Sequence, residues 1–508
     1  MMDQYQQDDF LVIENATVHH FGKTLFQELN FRVKKGESWA VLGASGKERT
    51  AFLETLLGRT SLVEGRIDRP FAHAYKEEQR KRGQVNSFRD LIAFISQKYT
   101  FKNKSNQQNF YYQQRFNSSE SEDTETVGAY LAGVESRRDG YWDLDKVIRL
   151  FDLDQFANKS LIKLSNGETR RLAMAVALTK NPKLFLMDMP LTGLDVQTRE
   201  RFDEVLQAIM DSGVQVILST TAREIPASIQ HHAWIGEGKL RQNHSRDELL
   251  RLEAAHMHPQ ELKDINFQRL LNKVNRDAGS SSVIQMKDVS IRYGTNLLLD
   301  KVNWQVLPGE KWLIKGHNGA GKSTLISLII GENPQSYAND ITLFGRRRGT
   351  GESIWEVKKP TGFVSSDLAR FFPPNQTCKK VVLSGFFDTM GLFKKTNSEQ
   401  EALADQWLKA LKLSHAENLR LQQVSLEEQR FCLLARAMIK SPKLLVLDEA
   451  SQGMDEQQRL RFKWLIDFFC RQTGMSLLFV SHYSEDIPDC IDHQIELTQG
   501  RITKNTRK

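Results

Sequence analysis

A chain of 508 residues with 40% hydrophobic and 26% charged side chains has the make-up of an ordinary globular protein with room for two or more domains. Its formal net charge of +7 is mild for that size, so composition demands neither nucleic acid nor an acidic membrane surface as a partner. No apolar run approaches the ~20 residues that span a bilayer, the polar stretch Met1 to Phe10 lacks a signal-peptide pattern, and Cys378, Cys432, Cys470 and Cys490 form no C-x-x-C pair, which points to reduced thiols in the cytoplasm.

In chain order, Gly36-Glu37-Ser38-Trp39 opens an apolar strand that runs into the loop Gly43-Ala44-Ser45-Gly46-Lys47-Glu48-Arg49-Thr50. Phe94-Ile95-Ser96-Gln97 follows, and then a polar insertion with Phe110, Tyr111, Tyr112 and an acidic run to Glu125. That insertion is either a loop packed on its own domain, the plainer reading, or a docking element for a partner. Next come Leu164-Ser165-Asn166-Gly167-Glu168, the apolar run Lys183 to Asp188 with Met189 after it, and Val216-Ile217-Leu218-Ser219-Thr220. Residues 242–282 read as a linker with two helical pieces, Leu249 to Leu252 and Phe267 to Leu271, and a flexible end at Gly279-Ser280-Ser281.

The series then returns. Gly309-Glu310-Lys311-Trp312 lies 273 residues after Gly36-Glu37-Ser38-Trp39, and the loop from Gly316 lies the same distance after Gly43. Phe363-Val364-Ser365-Ser366, Val424-Ser425-Leu426-Glu427-Glu428, Lys443 to Asp448 with Glu449, and Phe479-Val480-Ser481-His482 repeat the later motifs. In each half the short polar motif stands 23 residues ahead of the aspartate. A repeat this long predicts two homologous domains, placed at 10–241 and 283–504.

The loop Gly316-His317-Asn318-Gly319-Ala320-Gly321-Lys322-Ser323-Thr324 reads G-x-x-G-x-G-K-[ST] between an apolar strand (Trp312 to Ile314) and an apolar helix (from Leu325). This is the setting of a phosphate-cradling loop. Its glycines let successive N–H groups turn inward, and the helix start adds partial positive charge. Lys322 is expected to reach the β- and γ-phosphates and Ser323 to ligate Mg²⁺, which makes this a nucleoside-triphosphate site.

The order of loop, glutamine, L-S-x-G-E motif, apolar strand ending in Asp and strand ending in Ser-His resembles the ATP-binding cassette (ABC) family across almost the whole chain, twice. Thr342 to Gly349, Ser353 to Trp355 and Val364 to Ser366 are similar to a twin-cassette branch associated with molybdenum transport and also labelled photorepair. The resemblance implies an α/β fold with two tandem cassettes, each a P-loop mixed-sheet core with a helical subdomain carrying the signature motif. It further implies a head-to-tail sandwich in which each P-loop meets the other cassette's signature, formed within one chain and without an obligate homodimer. The implied cofactors are ATP and Mg²⁺, and the implied activity is ATP hydrolysis.

Carried over residue by residue, the resemblance makes Lys322, Glu449 and His482 catalytic. It assigns Ser323 and Asp448 to the metal, Tyr293 to adenine (Phe21 holds that place in the first half), and Ser165, Gly167 and Glu168 to the signature, with Asp195 linking the two sites. The other pairing collects departures. Gly43, Gly46, Thr50 and Asp188 remain, but Glu48 replaces the glycine matching Gly321, Arg49 the lysine, Met189 the glutamate and Thr220 the histidine. In the second signature Ser425 is kept and Glu427 replaces the glycine. Glu48 is expected to strain its loop and set a carboxylate beside the phosphates, and Glu427 to repel the opposing γ-phosphate. One competent and one degenerate site are therefore predicted, with weak or absent binding at the first P-loop. Ser366, standing for the glutamine that Gln97 supplies in the first half, predicts slow turnover.

A separately encoded membrane permease is the partner implied, with the chain cytoplasmic and peripheral on the inner face of the membrane. A soluble switch acting on ribosome, nucleic acid or a regulator is the less favoured alternative. Arg346-Arg347-Arg348 bears on that choice, as a solvated basic turn or as a phosphate contact.

Overall fold

The computed structural model describes residues 8–20, 23–43, 45–84, 87–96, 125–134, 140–161, 164, 166–191, 196–256, 267–271, 282–294, 296–317, 319–454, 456–481 and 486–507. The described residues up to 256 form one compact unit and those from 267 onward a second.

In the first unit β1 (Asp9–His20) and β2 (Lys23–Lys34) pair antiparallel, β3 (Trp39–Gly43) leads into α1 (Gly46–Leu56), and β4 (Ser61–Asp68) returns along the other side of β1. After β5 (Ile92–Ile95), the short helices α2 (Val127–Ala132) and α3 (Leu144–Leu150) precede α4 (Asn166–Leu178). Then β6 (Leu184–Asp188), α5 (Val196–Asp211), β7 (Gln215–Ser219), β8 (His231–Gly236), β9 (Lys239–Gln242) and α6 (Arg246–His256) complete the unit. The main sheet has the order β5-β6-β7-β3-β8-β9, parallel except for the edge strand β9. Strands β3, β6 and β7 are buried along their whole length, which is why they read as unbroken apolar runs and not as alternating ones. One face packs on the β1–β2 layer through Phe31, Trp39 and Phe52, and the other on the helices through Phe151, Met174 and Phe202.

In the second unit α7 (Gln268–Leu271) precedes β10 (Ile284–Tyr293), β11 (Asn296–Val306), β12 (Lys311–Gly316) and α8 (Lys322–Ile329). There follow β13 (Asp340–Leu343), β14 (Arg346–Arg347), β15 (Thr361–Ser365), α9 (Cys378–Ser384), α10 (Ser398–Ala410) and α11 (Leu426–Met438). The unit closes with β16 (Leu444–Asp448), α12 (Glu456–Thr473), β17 (Ser476–Val480), β18 (His493–Thr498) and β19 (Arg501–Arg507). Its main sheet, β15-β16-β17-β12-β18-β19, repeats the strand order of the first unit, so the sequence repeat is a repeat of topology. The four cysteines are free thiols, three of them buried.

The stretch 242–282 contributes to both cores. Helix α6 packs on the first unit through the buried Leu249, and Glu253 accepts from the Ala222 N–H at 3.0 Å. Phe267 is only 1% exposed and packs in the second unit, with ring centroids 6.2 Å from Trp407, 5.6 Å from Phe468 and 5.3 Å from Phe469. Three aromatic neighbours make it core and not spacer. Phe267→Ala is expected to cost the second unit about 3–5 kcal/mol, read as a lower denaturation midpoint for that unit. An unchanged midpoint would contradict this packing.

Candidate functional site

In the second unit the loop between β12 and α8 lies at the carboxyl ends of the parallel strands, where open α/β sheets place their ligand sites. Three of its glycines hold left-handed backbone: Gly316 at φ 149°, Gly319 at 83° and Gly321 at 103°. A Cβ on Gly321 would also stand 2.7 Å from the Leu298 carbonyl oxygen, and one on Gly316 2.5 Å from that of Leu497. Both the angles and the close approach therefore require glycine. Helix α8 starts at Lys322 and its first helical bond runs from Leu325 N–H to the Gly321 carbonyl, so the amides of its first turn precede the helical ladder.

The Lys322 ammonium folds back onto that loop, donating to the carbonyls of Gly316 at 2.6 Å and His317 at 3.0 Å. Burial holds its pKa below the usual lysine range, and the carboxylates of Glu449 and Asp448 oppose that shift. Asp448 ends β16, where it pairs with Ser365 on one side and Val480 on the other, while Val480 pairs in turn with Ile314 at the mouth of the loop. Glu449 is left-handed at φ 49°, with its N–H bonded to the Val480 carbonyl at 3.0 Å. Ser366 follows β15 in register with Gln97 after β5, and its N–H reaches the Asp448 carbonyl at 3.2 Å. Tyr293 ends β10 half-buried, its hydroxyl donating to Asn333 at 3.3 Å, and burial raises the phenol's pKa. Ala320 is buried, whereas Ser323 and Thr324 lie in the first turn of α8. Asn318, Ser165, His482, Phe21, Gln97, Asp195 and the aromatic insertion lie outside the described residues.

The first unit solves the same loop differently. Helix α1 begins at Gly46, three positions earlier in register than α8, and Glu48 is an ordinary helical residue. The Ser45 hydroxyl accepts from Lys47 N–H at 3.2 Å, and Arg49 N–H donates to the Ser45 carbonyl at 3.2 Å. The expected strain is thus absent. Glutamate does not hold the left-handed angle of Gly321 cheaply, and the chain relieves the conflict by winding the loop into an added helical turn. Nor does the carboxylate lie open to a phosphate, because Glu48 accepts from the Gly238 N–H at 3.0 Å. In the second unit the matching Gly500 N–H donates to the loop carbonyl of Ala320 at 3.1 Å.

The rest of that pocket closes on itself. Arg49 is buried and donates to the Gly43 carbonyl at 2.7 Å, the position that Lys322 addresses at Gly316. Thr50 donates to Asp188 at 2.7 Å, Ser219 donates to the other Asp188 oxygen at 2.6 Å, and Met189, left-handed at φ 47° like Glu449, sends its N–H to the Ser219 hydroxyl at 2.9 Å. Arg170 on α4 caps the carbonyls of Asp188 at 2.6 Å and Met189 at 2.7 Å, and burial brings its pKa down to about 10 against the pull of Asp188.

Strand register corrects one assignment. Asp188 pairs with Ser219, whereas Asp448 pairs with Val480, and Val41 and Ile314 give the same match across β3 and β12. Thr221, and not Thr220, therefore stands at the position of His482. The sequence hides this shift, because Ile225-Pro226 and Ile487-Pro488 share the offset that matches Thr220 to His482, and only the strand pairing reveals it. Thr220 donates instead to the Glu224 carbonyl at 3.2 Å, and Thr221 to the Glu224 carboxylate at 3.4 Å.

The signature segments differ as well. Gly167 is buried in the first turn of α4, and Glu168 there accepts from Lys159 at 2.9 and 2.7 Å. In the second unit Ser425 caps α11 in a capping box with Glu428. Glu427 is ion-paired with Arg461 of α12 at 3.0 Å, so its charge is compensated within its own cassette and is not presented bare to a phosphate as expected. The basic turn is likewise occupied. Arg346 pairs with Glu356, Arg347 with Asp340 at 3.5 Å, and the buried Arg348 with Glu352 at 2.8 Å, which favours the structural reading of that turn.

A family model described as "ABC transporter" matches residues 26–192 and 299–452, one segment in each unit. The chain is 32% identical over 470 residues to the ABC transporter ATP-binding protein ModF of Escherichia coli strain K12, covering 91% of each chain. It is 26% identical to an uncharacterized ABC transporter ATP-binding protein of Schizosaccharomyces pombe, over 97% of this chain and 99% of that one. A solved structure described as a model of ribosome-bound archaeal Pelota and ABCE1 matches with a TM-score of 0.60 at 16% identity, over 97% of this chain and 78% of that chain, a likeness of fold alone. Among the described residues no helix is long and apolar enough to cross a membrane.

The closed network of the first unit has a measurable consequence. Thr50→Val removes a hydroxyl that a buried carboxylate accepts, and it is expected to cost that unit roughly 1–3 kcal/mol in thermal or chemical unfolding. An unchanged unfolding transition would mean that the Thr50–Asp188 bond contributes nothing.

Proposed function

The chain belongs to the ABC transporter family and carries two ATPase cassettes, and from that premise we propose that a single composite site, built on the second P-loop, hydrolyses ATP. The observation that carries this reading is the contrast between the two loops. One keeps its glycine angles and sets Lys322 beside Asp448 and Glu449, whereas the other is wound into helix with its polar groups bonded to one another. The cassettes are assigned to 10–241 and 283–504, joined through 242–282.

In this reading the loop from Gly316 through His317, Asn318, Gly319, Ala320 and Gly321 cradles the phosphates and Lys322 neutralises their charge. The Ser323 hydroxyl and the Asp448 carboxylate are hard oxygen donors of the kind Mg²⁺ takes, which fits the metal to this site. Held by these two residues, Mg²⁺ would supply charge neutralisation for the phosphates. Glu449 orients and deprotonates the attacking water, and His482 contacts the γ-phosphate. Tyr293 borders the base. Ser165, Gly167 and Glu168, the signature of the first cassette, complete the site from across the pair, as the head-to-tail arrangement of this family suggests. Gly43, Gly46, Glu48, Arg49, Thr50, Asp188, Met189 and Thr221 with Ser425 and Glu427 form the degenerate counterpart. Ser366 lacks the reach of a glutamine, which supports slow turnover.

The partner proposed is a separately encoded membrane permease reached from the cytoplasm, with molybdate-type cargo suggested by the similarity to the twin-cassette molybdenum-transport branch. Affinity purification of the Glu449→Gln protein from membrane and soluble fractions tests this. A permease in the membrane eluate is expected, and ribosomes or nucleic acid in its place would replace transport with a soluble switch. In the ATPase assay, Glu449→Gln is expected to lower kcat by ~10²–10⁴, the share of a general base. Met189→Gln should lower it far less. Equal loss in both variants would overturn the assignment of one hydrolytic site.

A further inference from the structure

Glu449 directly follows the buried strand β16 in left-handed backbone, a conformation that persists only where its surroundings over-determine it. The residues after it form two consecutive turns, with Gln452 N–H donating to the Glu449 carbonyl at 2.9 Å and Met454 N–H to the Ser451 carbonyl at 3.1 Å. At the centre of that turn the buried Ser451 hydroxyl donates to the buried Asp486 carboxylate at 2.7 Å. The other Asp486 oxygen lies 3.5 Å from Nε of Arg459 on α12. A hydroxyl–carboxylate bond of this length, closed off from water, is among the stronger neutral–ionic contacts a protein makes.

The first unit supplies an internal comparison. Arg199 and Glu224, at the positions of Arg459 and Asp486, keep the ion pair at 3.0 Å. Leu191 stands at the position of Ser451 and packs against the apolar core of its unit. The Glu224 oxygen not paired with Arg199 takes the Thr221 hydroxyl. The ion pair is thus common to both cassettes and belongs to the scaffold. The hydroxyl tie occurs only where the strand ends in Glu449, and it is absent where the strand ends in Met189.

We infer that Ser451 and Asp486 are positioning residues for hydrolysis, a buried hydroxyl–carboxylate tie that fixes the turn carrying Glu449 against α12. The inference rests on the reading of Glu449 as the general base. Neither residue is required to touch nucleotide, so the tie acts on the chemical step and leaves ATP affinity alone.

The test uses the full chain with ATP and Mg²⁺. Ser451→Ala is expected to lower kcat by roughly 10- to 100-fold, the scale of a small displacement of a catalytic group. KM should stay at the value of the parent, while the thermal midpoint falls modestly, as for any hydroxyl lost from a buried carboxylate. Ser451→Thr, which keeps the hydroxyl, is expected to restore kcat, and Asp486→Asn to fall between the two. An unchanged kcat in Ser451→Ala, or a loss that Ser451→Thr does not recover, overturns the inference. So does a loss that appears as a raised KM with kcat unchanged, because that marks an effect on binding and not on the chemical step. Glu449→Gln separates this from the underlying reading. If it abolishes turnover while Ser451→Ala does not, the tie alone is refuted; if Glu449→Gln retains turnover, the base assignment falls and the tie with it.

Discussion

One backbone angle governs the difference between the two halves of this chain. Gly321 sits at φ 103° against the Leu298 carbonyl, which leaves no place for a side chain. With glycine there, the loop stays open, α8 starts late, and the amides of its first turn face outward from the strand ends. With Glu48 at the matching position the backbone turns right-handed, α1 starts three positions earlier in register, and the Arg49 amide, the match of Lys322, is spent on the Ser45 carbonyl. The opposite character of the two loops follows from this choice between two regions of conformational space.

The other departures follow as a problem of buried charge. A buried polar group needs a partner, and in the first unit the protein itself supplies each one. Arg49 takes the Gly43 carbonyl, Asp188 takes Thr50 and Ser219, and Arg170 holds the strand-end carbonyls against α4. Glu427 takes Arg461 in the same way. The first site is rewired and not merely eroded. Arg170 lies on the helix that carries Gly167 and Glu168 and fixes it to the sheet, and a buried arginine, Arg430, stands at the same position in the second unit.

Much of this was legible in the sequence, for identifiable reasons. The repeat, the parallel strands and the glycine-rich loop rest on apolar runs and on glycine at fixed spacing, and these are local properties of the chain. The errors share a different cause. Counting from a serine matches Thr220 to His482, whereas strand pairing, a contact between distant residues, places Thr221 there. The strain expected at Glu48 assumed that the backbone would hold still, and the bare charge expected at Glu427 assumed that no partner would come from α12. Phe267 reads as linker because it stands between polar stretches, and only the aromatic cluster of Trp407, Phe468 and Phe469 identifies it as core. Side-chain partners from remote segments leave no periodic signal.

The bond from Gly238 N–H to Glu48 locks the helical form of the first loop from outside the loop. Restoring glycine at position 48 alone would strip that amide of its acceptor while leaving Arg49 on the Gly43 carbonyl and Thr50 on Asp188. Each single replacement toward the glycine-rich form loses an existing bond, and residues joined in one network do not contribute additively. Recovery therefore requires several concerted replacements, each disfavoured by itself. The loop is thus a locked unit, in which no residue can be exchanged toward the open form without leaving another group unpaired.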